Sequence, residues 1–157
     1  MGLDMLVKLY EVQDDPMLME KLKSEGILIK RAMTPDLTKI TTWVREQFGQ
    51  GWADECTAGI LIGGCWIATK DGQVVGFACH DATLPDFFGP TGVQEDMRGR
   101  GIGKALLIRC MISMKEKGYG YAVIGSAGPM DFYKKAVGAI PIEGSETGAY
   151  CNMVGIK

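Results

Sequence analysis

The sequence predicts an α/β (α+β) fold, a central sheet of about seven strands flanked by helices, in a single domain of 157 residues. Three observations predict it. Short strand-like runs interleave with helical stretches along the whole chain. Two of those runs, Cys65–Thr69 and Gln73–Ala82, are joined through Lys70-Asp71-Gly72, and Asp-Gly is a hairpin turn signal, so part of the sheet is antiparallel. A third run, Phe87–Gln94, leads through a glycine-rich turn into a helix with apolar residues at Ile102, Leu106, Cys110 and Met114.

In order, Met5–Val12 is a candidate strand and Pro16–Lys23 a short helix with Asp14 or Asp15 at its start and Gly26 beyond its end. Ile27–Met33 alternates apolar and polar residues and reads as the first strand of the core. Thr34 is placed to cap a helix with Pro35 in its first turn. The apolar face Leu37, Ile40, Val44 and Phe48 then runs to Gly49. Gln50–Gly63 reads as a loop with a short helix around Ala53–Ala58. Gly89-Pro90 and Gly92 inside the Phe87 strand predict a bulge, because proline donates nothing to a ladder. Gly118 stops the following helix. Tyr119–Gly125 is the next strand, and Pro129–Val137 is a helix ending at Gly138. Ala139–Ile142 and Tyr150–Ile156 are the last strands, with Gly144–Gly148 between them as a polar loop able to close over a substrate.

Composition narrows the function. Hydrophobic residues make up 46% and charged residues 23%, as in ordinary globular proteins. A net charge of −2 argues against nucleic-acid binding. No apolar run reaches the length of a membrane span, and Met1–Tyr10 has no signal-peptide pattern. Five cysteines without a C-x-x-C pair, and His80 as the only histidine, predict no metal site and buried thiols in a reducing cytoplasm.

The strongest chemical signal is Arg98-Gly99-Arg100-Gly101-Ile102-Gly103-Lys104. Glycines at a helix start allow close approach to backbone N–H groups, the helix end adds partial positive charge, and three side chains add full charges. The physical reading is a phosphate or pyrophosphate cradle. A P-loop fails at both ends, with Arg98 and Ala105 where Gly and Ser/Thr are needed. A dinucleotide fingerprint fails at Lys104, and no acid follows at the required distance.

Arg98-x-x-Gly101-x-Gly103, preceded by Val93 and followed by Lys104-Ala105-Leu106-Leu107, resembles the Q/R-x-x-G-x-G/A acyl-CoA motif of the GNAT N-acetyltransferase superfamily. Pro129–Ala139, with Phe132-Tyr133-Lys134, resembles that family's later F-Y-x-K-x-G-F segment. The resemblance covers about residues 27–155. It implies a mixed, mostly antiparallel sheet, splayed between core strands four and five. It also implies acetyl-CoA as acyl donor, with no metal, and as acceptor a primary amine of a small molecule or protein, which attacks the thioester directly in a ternary complex. Residues 27–157 are then the acyl-CoA-binding core and residues 1–26 an N-terminal addition, for which a homodimer contact is left open.

Cofactor contacts fall on Thr91, Gly92, Val93, Arg98, Gly99, Arg100, Gly101, Ile102, Gly103 and Lys104, with the amides near Gly92-Val93 as oxyanion donors. Tyr133 matches the tyrosine near the CoA sulfur and is the candidate general acid. Ser126 stands where the family often has Asn, and its hydroxyl reaches less far than an amide. His80, next to Asp81, has the intrinsic pKa of a base, and Glu55 and Asp86 are further candidates. Trp52 and Glu55 are candidate acceptor contacts. The competing reading is a non-catalytic acyl-CoA-binding sensor or regulatory module.

Overall fold

A computed structural model describes residues 2–146 and 148–156. Its strands are β1 (Met5–Lys8), β2 (Ile27–Arg31), β3 (Cys65–Lys70), β4 (Gln73–His80), β5 (Phe87–Val93), β6 (Tyr121–Ile124) and β7 (Ile140–Pro141). Its helices are α1 (Pro16–Ser24), α2 (Leu37–Phe48), α3 (Gln50–Leu61), α4 (Ile102–Glu116) and α5 (Met130–Val137). The strands form one sheet in the order β2-β3-β4-β5-β6-β1-β7. Only β5 and β6 run parallel; the other neighbours are antiparallel. This is the mixed, mostly antiparallel seven-stranded sheet that the sequence predicts. Among the described residues no helix is long and apolar enough to cross a membrane.

Each face of the sheet carries its own core. On one face α4 buries Ile102, Leu106, Leu107, Cys110, Met111 and Met114 against β3, β4, β5 and β6, with α1 and α5 beside it. On the other, α2 and α3 bury Ile40, Val44, Cys56 and Ile60 against Ile67, Phe77 and Cys79. The β3–β4 hairpin turns through Asp71 and Gly72, whose φ values of 51° and 76° are the left-handed pair that a two-residue turn requires.

Several local expectations change. Met5–Lys8 is an interior strand, held between β6 and β7, so the first 26 residues contribute to the sheet itself. Because β1 occupies the place beside β6, Tyr150–Ile156 forms turns instead of a strand. The helix after Ile27–Arg31 starts at Leu37, after a 3-10 turn over Thr34–Asp36, and the Thr34 side chain caps nothing. α3 is twice the length expected; Gly51 and Gly59 hide its buried stripe of Ala53, Cys56 and Ile60. Asp15 does cap α1, accepting the Leu18 N–H at 3.1 Å.

Candidate active site

The site begins where β5 leaves β6. β5 lies beside β4 as far as Val93, with an irregularity at the predicted Gly89-Pro90 bulge. It pairs with β6 only at Phe87 and Phe88, opposite Val123 and Ile124. Beyond Phe88 the two strands part. The Gln94 N–H bonds to the Val75 carbonyl at 2.8 Å, so alternation turns the backbone groups of Thr91 and Val93 away from β4 and into the gap. The N–H of Gly92 points the other way, into the β4 ladder, so the oxyanion donors on offer are Thr91 and Val93. Gly92 matters for another reason: a Cβ there would clash with the Phe48 ring, which floors the gap.

A cleft of about 680 Å³ runs through this gap. One end is the glycine turn. Ala105 is the first α4 residue whose N–H bonds back, to the Gly101 carbonyl at 3.0 Å, while the amides of Gly99 through Lys104 have no backbone or side-chain acceptor among the described residues. Gly101 sits at φ 92°, the left-handed region, which starts the helix and aims these amides outward. A Cβ on Gly103 would meet only the Val93 methyl at 3.8 Å, which leaves the cradle open. On Gly101 it would press on Leu18 at 2.7 Å, because α1 braces the turn from behind. Lys21 Nζ donates to the Arg100 carbonyl at 3.1 Å, and Lys104 pairs with Asp15 at 3.4 Å. Arg98 Nε holds the Val93 carbonyl at 3.1 Å. The cations therefore brace the loop as well as charging it.

Tyr133 stands at mid-cleft, 6% exposed, its ring edge-on to Phe88 and Phe132 with centroids at 6.2 and 5.2 Å. Burial alone raises its pKa, so the phenol stays protonated at neutral pH. Past Tyr133 the cleft continues into recesses of about 240 and 280 Å³, and Trp52, Phe88 and Ser126 line both. The farther recess adds Glu55, Thr83 and Tyr150. Glu55 accepts a hydrogen bond from the Thr83 hydroxyl. Burial first, then the acidic charges of Glu55 and Asp4, push the Tyr150 phenol up to about 12. Ser126 is held in the left-handed region, φ 47°, by its N–H bond to Asp4 Oδ1 at 2.7 Å.

Most of the sequence-predicted site thus converges: Thr91, Gly92, Val93, Arg98, Gly99, Gly101, Ile102, Gly103, Lys104, Tyr133 and Trp52 line the main cleft, and Trp52, Glu55 and Ser126 the recesses. Arg100 belongs to the cradle through its backbone alone. His80 does not join them. Its ring is 2% exposed, with Nδ1 2.6 Å from Asp81 Oδ2 and Nε2 2.9 Å from Ser113 Oγ. Burial lowers its pKa against the opposing pull of Asp81. Ser113, His80 and Asp81 follow the hydrogen-bond order of a nucleophilic triad, yet Ser113 is 5% exposed and lies outside the cleft and its recesses. Asp86 also lies outside the cleft. The Gly144–Gly148 loop is tied down rather than poised over the cleft: Ser145 Oγ accepts the Asp4 N–H at 2.9 Å and donates to the Ile142 carbonyl at 2.6 Å, while Thr147 lies outside the described residues. Sequence reasoning missed Phe48 and Tyr150 as lining residues. Phe48 ends the α2 apolar face and was legible as such; Tyr150 carried no signal.

With this geometry in hand, comparison with known proteins is informative. The family model for the acetyltransferase (GNAT) domain matches residues 62–136. No curated protein matches the sequence. Among solved structures, the chain is similar to a GCN5-related glucosamine N-acetyltransferase region of a fungal multi-domain GH3 β-N-acetylglucosaminidase. That match has a TM-score of 0.73 and 15% identity over 89% of this chain and 19% of the other. A GCN5-related N-acetyltransferase from Sphaerobacter thermophilus gives a TM-score of 0.67 and 19% identity over 89% and 48%. A polyamine N-acetyltransferase from Drosophila melanogaster gives 0.51 and 10% identity over 59% and 72%. At these identities the likeness is one of fold, and the chain spans about a fifth and about half of the first two proteins. The glycine cradle and the splay fall within the stretch that the acetyltransferase (GNAT) family model matches, and the chain shares the fold of the GCN5-related structures it is similar to.

Proposed function

We propose that the protein is an acyl-CoA-dependent N-acyltransferase that moves an acetyl group from acetyl-CoA to a primary amine by direct attack in a ternary complex. One observation carries this reading. A continuous cleft joins six partnerless amides at a helix start, a protonated phenol at its middle and a carboxylate at its far end. Those are an anion cradle, a general acid and an amine-binding group in the order that the reaction needs. Acetyl-CoA supplies, when bound, an activated acetyl thioester and a polyanionic handle.

The chain's own residues do the rest. The amides of Gly99–Lys104 receive phosphate oxygens, and Arg98 and Lys104 add charge beside them. Thr91 offers its N–H and carbonyl and Val93 its N–H along the gap, where no strand competes for them, while Arg98 keeps the Val93 carbonyl. An N–H there, aimed at the acyl oxygen, stabilises negative charge that develops as the amine attacks. Tyr133 gives its proton to the departing sulfur. Glu55, beside Trp52 and Tyr150, holds the incoming ammonium and draws its proton away, directly or through water. Ser126 shapes the joint between the two recesses.

The test is thiol release from acetyl-CoA across a panel of primary amines. The expected outcome is turnover with at least one amine, and a Glu55→Gln variant whose KM for that amine rises while CoA affinity is unchanged. Tight CoA binding with no turnover on any amine would instead support the sensor reading.

A further inference from the structure

Cys56, Cys65 and Cys79 are separated by nine and fourteen positions, and nothing in their spacing announces a site. The fold brings them together. Cys56 comes from α3, Cys65 opens β3, and Cys79 lies directly opposite Cys65 on β4. All three are 0% exposed, and their sulfurs lie within 4.8 Å of one another. Cys56 and Cys65 are 3.9 Å apart. Gly59 lets α3 come this close, since a Cβ there would sit 3.0 Å from Cys79 Sγ.

These distances suit three sulfurs around one centre. A trivalent centre with a lone pair is pyramidal, and with bonds to sulfur of about 2.3 Å its sulfurs lie roughly 3.5 Å apart. The Cys56–Cys65 pair, at 3.9 Å, is near that already, and the third sulfur, within 4.8 Å of both, closes by about an ångström.

The surroundings select the ion. Among the described residues no fourth His, Cys, Asp or Glu ligand joins the group, and the walls are apolar: Ala53, Ile60, Ile67 and Phe77. Structural zinc takes four ligands, so three sulfurs within apolar walls are a poor site for it. Three thiolates bring three negative charges into a dry core, where a net charge is costly. A trivalent centre cancels them. We infer that Cys56, Cys65 and Cys79 form a buried three-thiolate site for a trivalent thiophilic centre such as arsenic(III). Loading with arsenite balances without redox: three As–O bonds and three S–H bonds break, three As–S bonds form, and three water molecules leave. Occupancy ties α3 to β3 and β4, and α3 also carries Trp52 and Glu55.

The test uses the reduced full-length protein and arsenite. The expected result is one arsenic per chain, a mass gain of one arsenic less three hydrogens, a raised thermal midpoint, and three sulfur neighbours with no oxygen in the arsenic X-ray absorption fine structure. Cys56→Ala, Cys65→Ala and Cys79→Ala each lose the arsenic, whereas Cys110→Ala and Cys151→Ser keep it. Zinc at the same concentration leaves the thermal midpoint unchanged. No arsenic on the folded wild-type protein, retention by Cys56→Ala, or an oxygen neighbour would overturn the proposal; equally tight zinc binding through the same residues would overturn the choice of ion. The absorption measurement needs only wild-type protein, so it decides even where an alanine variant does not fold.

Discussion

Two polar clusters flank β4 and β5, and they treat their hydrogen-bonding groups in opposite ways. At the His80 corner almost everything is paired. His80 uses both ring nitrogens, and Asp81 accepts from His80, from Lys117 at 3.2 Å, from Tyr119 at 2.9 Å and from the Asp86 N–H at 2.6 Å. In the cleft, six successive amides and the Tyr133 phenol have no protein partner among the described residues. Buried polar groups that satisfy one another hold a fold together, and polar groups left without partners beside a cavity are set aside for a ligand. Residue identity alone misleads here. The histidine, a base by type, is buried among partners, while the glycine turn leaves its amides without acceptors among the described residues.

The largest expected effect breaks the cleft side of this contrast. Gly103→Glu should abolish CoA binding in calorimetry while circular dichroism shows an intact fold, because its Cβ has open space and its carboxylate would face the pyrophosphate. Gly101→Glu is a poorer test, since φ 92° and Leu18 penalise the fold itself. Wild-type CoA affinity in the folded Gly103 variant would remove the cradle from the site.

Next in size is Tyr133→Phe. The ring and its contacts remain, so CoA affinity should stay near wild type while kcat falls by roughly 10²-fold or more, the usual contribution of a general acid. Single-turnover kinetics with an accepted amine would check this even where product release limits kcat. An unchanged chemical step would make Tyr133 a packing residue.

His80→Gln sharpens the other side. Losing the bonds to Asp81 and Ser113 should lower stability by about 1–3 kcal/mol in urea denaturation, the cost of leaving buried polar partners unsatisfied. The folded variant should keep its kcat within a few-fold and the shape of its pH profile. A hundredfold loss of kcat with a shifted profile would restore His80 as the base.

The smallest effect concerns Asp86, the exception in the paired corner. Its Oδ1 is buried without a partner, and burial first, then the charge of Asp81, push its carboxyl up to about 6. A pKa raised in the folded state favours folding while the group is protonated. That contribution is complete below the unfolded value near 3.8 and is lost as pH rises through about 6. Asp86→Asn, which tolerates the positive φ of 67°, should therefore raise the thermal midpoint above pH 6 and lose the advantage below pH 4. Melting curves across that range decide it, and a gap that widens toward acid would reverse the sign.

The same contrast explains what the sequence could reveal. The cradle was legible because glycine conformation and amide exposure are local properties, written between Arg98 and Lys104. The bulge at Gly89-Pro90, the hairpin at Asp71-Gly72 and the stripe of α4 were legible for the same reason. His80 was misread because its partner Ser113 comes from α4, 33 positions away, and its other partner, Asp81, is held in turn by Tyr119, 38 positions from that carboxylate. The Tyr150–Ile156 segment has a strand-like pattern, yet whether it pairs depends on who already sits beside β6. α3 was cut short because Gly51 and Gly59 weaken its helical signature, and only packing against β4 makes them useful.

That place beside β6 has a kinetic side. Met5 pairs with Ile124, residues 119 positions apart, and β7 in turn pairs only with β1. Long loops must close before such contacts reward the chain, so this edge of the sheet belongs among the slow, late events of folding. Asp4, next to β1, also fixes Ser126 and receives the Ile142 N–H at 2.8 Å, and the Ala127 N–H bonds to the Leu3 carbonyl at 2.9 Å. One wall of the cleft is therefore finished only when the earliest-synthesised strand finds its place. A ribosome-bound chain ending before residue 121 can hold the glycine turn and the β3–β4 hairpin, yet it lacks the wall against which a thioester would rest.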